Sequence, residues 1–546
     1  MSTAVPTATV APETATRRAD LRARLLGSGS EIDGESWRRS WLPLLLVTAV
    51  GGLLRFWHLG TPHRLVFDET YYVKQAYSLL LHGHEMRTDP GIEQPDALFT
   101  AGTPDVFTSA ADFVVHPPVG KWMIAVGEWL FGIDSSTGWR FTAALCGTLS
   151  LLIVGRVARR LFRSTLLGVT AALLLATDGL HLVLSRTGLL DVFLMFWALV
   201  AFACLLRDRD AARERLVERL APTWPARPAG FGPSLGLRPW RLAAGVSLGL
   251  ACGVKWSGVY FLAVFGLMTV LWDAGARRSA GVRNWLAAGA VRDGIGAFCA
   301  MVPVAVVTYV ATWAGWFRSS DGYDRQWGAQ HPADGLAGLV PDALRSLWQY
   351  HQEAYRFHIG LSTPHPYMSS PWSWLVQGRP TSFFYEGTTR GQGGCEAEQC
   401  SQAITSLGTP LLWWSAVLAV VVLVAVWALR RDWRAGAVLA GFAAGYLPWF
   451  QYPDRTIFTF YAVAFSPWVV LAVVHVVGLL LGPDPAAARG AGTRAGAVHR
   501  RRVGAVLAGA VVVACVACFA YFWPVYTAQV VPYGDWSARM WLRSWV

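Results

Sequence analysis

Repeated apolar runs constrain this chain more than any other feature. From residue 40 onward, mostly apolar runs recur at the length of about 20 residues needed to cross a hydrocarbon core, many closed by arginine or tryptophan. Such a chain is expected to fold as an all-α polytopic membrane protein, because in lipid a helix satisfies its own backbone groups. Composition agrees, with 54% hydrophobic against 15% charged residues. The formal charge of +12 gathers at the ends of apolar runs, which marks topology rather than a nucleic-acid partner.

Arginine placement orients the chain. Residues 1–39 lack an apolar period and are expected to form a disordered cytoplasmic tail, held inside by Arg17, Arg18, Arg22, Arg24, Arg38 and Arg39. No cleavable signal peptide is expected, since the first apolar run is too long. Alternation then gives about eleven spans, near 40–59, 139–162, 166–184, 189–206, 242–254, 256–272 and 294–316. Three more end at Arg430-Arg431, Trp449 and Leu481, and the last covers 503–523. A single catalytic membrane domain, 40–530, would carry external loops 60–138 and 317–408 and cytoplasmic loops 207–241 and 482–502. The tail 531–546 would lie outside.

Segment 119–132 is apolar enough to cross. Crossing would strand Arg156, Arg159, Arg160 and Arg163 outside, so it is expected to lie in the interface. Lys121 and Glu128, seven apart, share one face of it; Lys74, Ser78 and His82 mark a similar stripe earlier in the loop.

On this topology the polar residues most expensive in a membrane collect at the external side: Asp68, Glu69, His116, Lys121, Arg140, Arg186, Asp191, Lys255 and Arg455. The cytoplasmic loops show only solvated charge runs. One-sided convergence of carboxylates and cations suits a reaction at the outer leaflet, with a carboxylate as general base and Arg or Lys holding a leaving phosphate. It disfavours a transporter, which needs charges near the midplane and on both sides. Each residue also has a plainer reading: Asp68 as helix N-cap, Glu69 as dipole partner, Arg140 as snorkelling anchor, and Arg186–Asp191 as an ion pair. Lys255 is one of only three lysines among 47 basic residues and has no acid nearby in sequence.

The second external loop holds an aromatic, Pro-bounded stretch around Trp372 and Trp374 that could cover a groove. Its Cys395 and Cys400 read as a local disulfide in an oxidising compartment, with free thiols or half a metal site as alternatives. His351 and His358 share a helix face, but two histidines without a third ligand favour a structural role over a metal.

Taken in order, Arg55-Phe56-Trp57-His58-Leu59-Gly60, Phe67-Asp68-Glu69, His116-Pro117-Pro118-Val119-Gly120-Lys121-Trp122, Gly253-Val254-Lys255-Trp256-Ser257-Gly258 and Trp372-Ser373-Trp374 resemble the protein O-mannosyltransferases. The resemblance covers about residues 40–530 and implies a GT-C membrane fold with interfacial helices in the first external loop. The second external loop is too short for the β-trefoil domain of eukaryotic members, so the chain resembles the bacterial branch. The implied location is the bacterial plasma membrane, and the implied donor is polyprenyl phosphate mannose.

The resemblance further implies that Asp68 is the base for inverting transfer to Ser or Thr of secreted proteins, with Glu69 beside the acceptor. A like-charged Glu69 would raise one carboxylate's pKa. Lys255 and Arg140, then Arg455 and Arg186, are the expected donor-phosphate cations. Arg55 is expected to pair with an acid of the first loop; His116, Lys121 and Asp191 are supporting residues, and Trp372 and Trp374 shape the acceptor groove. No cofactor or metal is called for beyond the lipid-linked donor, and the secretion channel is a further candidate partner. The competing enzyme reading is another GT-C transferase acting on a lipid or glycan acceptor.

Overall fold

The computed structural model describes residues 12–27, 34–226, 228, 230–482 and 491–546. After helix α1 (Pro12–Leu26), the chain enters a helical bundle through α2 (Trp37–Phe56). The first large loop contains α3 (Glu69–His82), β1 (Met86–Thr88), α4 (Pro95–Thr100), β2 (Phe107–Ala111) and α5 (Val119–Phe131). The bundle resumes with α6 (Ser136–Phe162), α7 (Thr165–Ala176), α8 (Gly179–Leu184), α9 (Asp191–Leu220), α10 (Pro239–Val254) and α11 (Gly258–Ser279).

Among the described residues, seven helices are long and apolar enough to cross a membrane: α2, α6, α11, Trp285–Thr312, Pro410–Arg430, Thr459–Leu481 and Ala495–Tyr526. The chain is a multi-pass membrane protein. At the other four expected positions stand α7, α9, α10 and Trp433–Tyr446. Three of these are short, and α9 carries Asp191 at one end of its apolar stretch and Arg207-Asp208 at the other. The expected third span is broken at Asp178, whose carboxylate accepts from the Thr409 amide (3.2 Å) and the Trp413 indole (2.9 Å).

The two interfacial helices bury most of their charged residues, although His82 at the end of α3 is exposed. In α5, Lys121 and Glu128 are buried while Trp129 is 74% exposed beside Leu130 and Phe131. In α3, Lys74 and Ser78 point inward, and Tyr71 and Leu81 point outward. A soluble amphipathic helix does the reverse; an apolar outer face suits a helix lying against lipid. The buried lysines are paired, Lys74 with Asp96 at 2.6 Å and Lys121 with Glu85.

Three expectations about loops are corrected. Part of the expected disordered tail is helix α1, whose Leu21 and Leu25 pack against Leu216, Val217 and Leu220 of α9; residues 1–11 and 28–33 lie outside the described residues. The expected cytoplasmic loop 207–241 is helical as far as Leu220. Nor are its charges merely solvated: Asp208 and Asp273 are buried with Arg238 and Arg241, linked at 2.5–3.3 Å. These pairs join residues about 30 positions apart, so local sequence hides them. In the expected loop 482–502, the chain is helical from Ala491; residues 483–490 lie outside the described residues.

The second large loop forms helix Asp342–Gly360 and the hairpin β3 (Thr381–Thr389) and β4 (Gln399–Ser406), to which β5 (Val531–Pro532) of the C-terminal segment adds in the order β3–β4–β5. Both pairings are antiparallel. Cys395 and Cys400 are disulfide-bonded at the β3–β4 turn.

Candidate active site

Asp68 is set by a strained turn. Phe67 sits at φ +50°, a left-handed conformation uncommon for a bulky residue. Packing holds it there: its ring stacks on Phe383 (centroids 4.8 Å) and meets Phe458 and Phe460 edge-on. Asp68 then opens α3 with φ −69° and ψ −3°, and its side chain makes no capping hydrogen bond. The carboxyl is half-buried and unspent. Burial pushes its pKa up to about 6, Lys255 opposes the shift, and Asp191 adds to it. The raising neighbour is therefore Asp191, not the expected Glu69.

Lys255, at the end of α10, donates to both oxygens of Asp191 at the start of α9, at 2.9 and 2.8 Å. The two are 64 residues apart, which is why no partner was visible beside Lys255. The Lys255 ammonium also lies 4.9 Å from the centre of the Tyr461 ring. Together Lys255, Asp191 and Tyr461 line a cavity of about 240 Å³ with His116, His358, Arg455, Trp256 and Trp449. The hydroxyls of Tyr260 and Tyr452, also in its wall, are 2.9 Å apart.

The polar wall is cationic at its arginine and lysine and neutral at its histidines. His358 donates from Nε2 to the Val115 carbonyl (2.8 Å), leaving Nδ1 to accept from Arg455 at 3.1 Å. Burial lowers its pKa to about 4, with Arg455 and Lys255 adding to the effect. His116, 5.2 Å from His358 between ring centroids, is also held well below its usual range, by burial first and then by Lys255. Tyr72 joins this cavity wall to the carboxylates: its ring lies 6.1 Å from His116, and burial, Asp68 and Asp191 all push its hydroxyl pKa upward. A positive wall with neutral imidazoles stabilises an anion without supplying a second acid near pH 7.

Several expected site residues are occupied elsewhere. Glu69 is fully buried and accepts from Arg140 Nε and Nη2 (both 2.8 Å), the Val66 amide (2.9 Å) and the Gly188 amide (2.7 Å). Arg140 spends its remaining donors on the carbonyls of Leu59, Pro62 and Arg64. Glu69 thus lacks an acceptor face, and Arg140 has no free donor for a phosphate.

Arg186 donates to the carbonyls of Leu54, Arg55, Trp57 and His58, closing the end of α2 rather than pairing with Asp191. Arg55 meets no acid of the first loop; it bonds Gly51, Leu175 and His181 inside the bundle. Trp374 is buried with its indole donating to Ser369, whereas Trp372 is 78% exposed. His351 donates from Nδ1 to the Leu347 carbonyl, accepts at Nε2 from the Tyr309 hydroxyl and stacks on Trp256. Among the described residues, no group of three or more His, Cys, Asp or Glu is placed to hold a metal.

Tyr72, Tyr260, Tyr452 and Tyr461 escaped sequence reading because aromatic residues at span ends pass for an interfacial belt. The available signal was the Pro453-Asp454-Arg455 break between two apolar runs, which introduces the 3-10 turn Thr459–Phe465.

Residues 45–316 match the family model described as dolichyl-phosphate-mannose-protein mannosyltransferase. Residues 343–545 match that of the C-terminal four-helix membrane region of protein O-mannosyltransferase. The chain is 39% identical over 530 residues to the polyprenol-phosphate-mannose–protein mannosyltransferase of Mycolicibacterium smegmatis, covering 93% of each chain. Identity to the enzyme of the same name from Mycobacterium tuberculosis is 39% over 523 residues, covering 93% of this chain and 92% of the relative. Its fold is similar to that of the Saccharomyces cerevisiae protein O-mannosyltransferase complex bound to the sugar donor, with a TM-score of 0.68 and 14% identity over 97% and 94% of the two chains. The long membrane helices, the Asp68 turn and these matches lead to one assignment: this chain belongs to the protein O-mannosyltransferase family and has its GT-C fold.

Proposed function

We propose that the protein transfers mannose from polyprenyl phosphate mannose to Ser or Thr hydroxyls of secreted polypeptides, with inversion at the anomeric carbon. The observation that carries this reading is Asp68: a half-buried carboxyl with no capping hydrogen bond, raised to about 6, beside a cationic cavity. At pH 7 a carboxyl of this kind is mostly ionised yet more basic than an exposed aspartate. Asp68 takes the hydroxyl proton as the acceptor oxygen attacks the anomeric carbon, and the bond from that carbon to the phosphate oxygen breaks on the opposite side. The phosphate leaves with the bonding pair, facing Arg455 and Lys255. Asp191 acts by fixing the Lys255 ammonium at the cavity wall. The aromatic walls of Trp256, Trp449 and the tyrosines suit the apolar face of a sugar.

The same reading places the cavity on the external face of a bacterial plasma membrane. It has eleven crossings, the N-terminus inside and the C-terminus outside, because α7, α9, α10 and Trp433–Tyr446 then complete the alternation begun by the seven long helices. The catalytic domain is 40–530, with the external loops 60–138 and 317–408 on the cavity's side, and the secretion channel is the natural source of unfolded acceptor. The test is transfer from purified polyprenyl phosphate mannose to a short peptide bearing one Thr, with the product's anomeric configuration read by NMR. The expected product is a mannosyl peptide of configuration opposite to the donor's. A mannosylated lipid with no mannosyl peptide would overturn it.

A further inference from the structure

The sheet of the second large loop has two edges of different character. The β5 edge is blunted: the strand is two residues long and one of them is Pro532, which lacks a backbone donor. The β3 edge is not. That strand is nine residues long and contains no proline. Its one charged residue, Glu386, is engaged by Arg64 at 3.4 Å. Among the described residues no other strand pairs with β3 outside β4, and no outside backbone group bonds its exposed half, Tyr385–Thr388. Tyr385 is 48% exposed, and nothing but the Tyr385 ring comes within 4 Å of a Cβ built on Gly387. Proteins protect long edges because such edges template pairing with another chain. An unprotected one is therefore a binding surface or a liability.

This edge runs into the Asp68 turn. Phe383, in the same strand, stacks on Phe67, the residue before Asp68, and Arg64 lies over the Phe384 ring at 5.3 Å. The disulfide Cys395–Cys400 fixes the far end of the hairpin, so the edge is presented as a rigid rail. Resting on the reading that the acceptor is a polypeptide, we propose that the acceptor segment adds to β3 as an extended strand and delivers its hydroxyl to Asp68 at the Phe383 end. Main-chain hydrogen bonds supply affinity that is indifferent to most side chains, while alternate acceptor residues face the protein. A hydroxyl at the acceptor's transferred residue then approaches the carboxylate from the side opposite the donor cavity.

The test uses the intact protein and modifies only the substrate. A short peptide bearing one Thr is made as a series, each member N-methylated at one backbone amide on the side of the Thr that would lie along β3. Paired strands use every second amide toward a given neighbour. The expected result is an alternating profile: kcat/KM falls about tenfold or more at every second position and stays near the parent value between them. The loss is expected in KM rather than kcat at positions remote from the Thr. A profile without two-residue alternation would overturn strand addition while leaving mannosyl transfer intact. Absence of transfer to the unmethylated parent would instead overturn the mannosyl-transfer reading itself, and the inference with it.

Discussion

Replacing Glu69 by glutamine separates a structural carboxylate from an acceptor contact. Its two oxygens receive four hydrogen bonds, two from Arg140 and two from the amides of Val66 and Gly188. Glutamine keeps the shape but removes the charge and turns an amide NH₂ toward groups that only donate. Arg140 is left buried without its counter-ion, a change that costs roughly 3–5 kcal/mol when one partner of a buried pair is lost. The carbonyls of Leu59, Pro62 and Arg64 hang on the same guanidinium, so the loss falls on the turn that carries Asp68. At 1.36 kcal/mol per decade, amides of residues 59–69 should exchange with solvent about 10²- to 10⁴-fold faster by local opening. Hydrogen-exchange mass spectrometry reads this directly, with the middle of α6 as an unchanged control. Unaltered exchange together with a raised acceptor KM would refute the reasoning and return Glu69 to the acceptor groove.

Other expectations follow from the same geometry. With Asp68 near 6, kcat/KM should rise through about pH 6 as the carboxyl ionises. The folded protein holds this proton more tightly than the unfolded chain, so the residue's contribution to stability is full below 3.8 and is lost as pH rises through about 6. Thermal unfolding of Asp68→Asn should lack that component; an identical pH profile would count against the raised pKa. Arg455→Ala should raise the donor KM by about ten- to a hundredfold through loss of one charged hydrogen bond to phosphate, and an unchanged donor KM would remove Arg455 from the donor site. Arg186→Met should lower the unfolding temperature without changing donor KM, because its bonds go to four carbonyls at the end of α2.

Hydropathy and arginine placement made the bundle legible because lipid imposes length and orientation rules on each segment independently. They also brought Asp68, His116, Asp191, Lys255 and Arg455 to one side. Partner choice was not legible. Glu69 and Arg140 are 71 residues apart, Lys255 and Asp191 64, and Arg186 bonds backbone carbonyls that every residue carries. Adjacent carboxylates were hardest to tell apart: one helical step turns Glu69 into the core and leaves Asp68 at the cavity side. Local sequence shows that two acids are present, but not which one is spent.

The most direct measurement is therefore on Asp68→Asn, by single-turnover transfer from polyprenyl phosphate mannose to a Thr peptide, alongside equilibrium binding of the donor. The expected outcome is a loss of transfer of about 10²- to 10⁴-fold, the range of a general base, with donor affinity unchanged. Transfer near the wild-type rate in a variant that still binds donor would contradict Asp68 as the base.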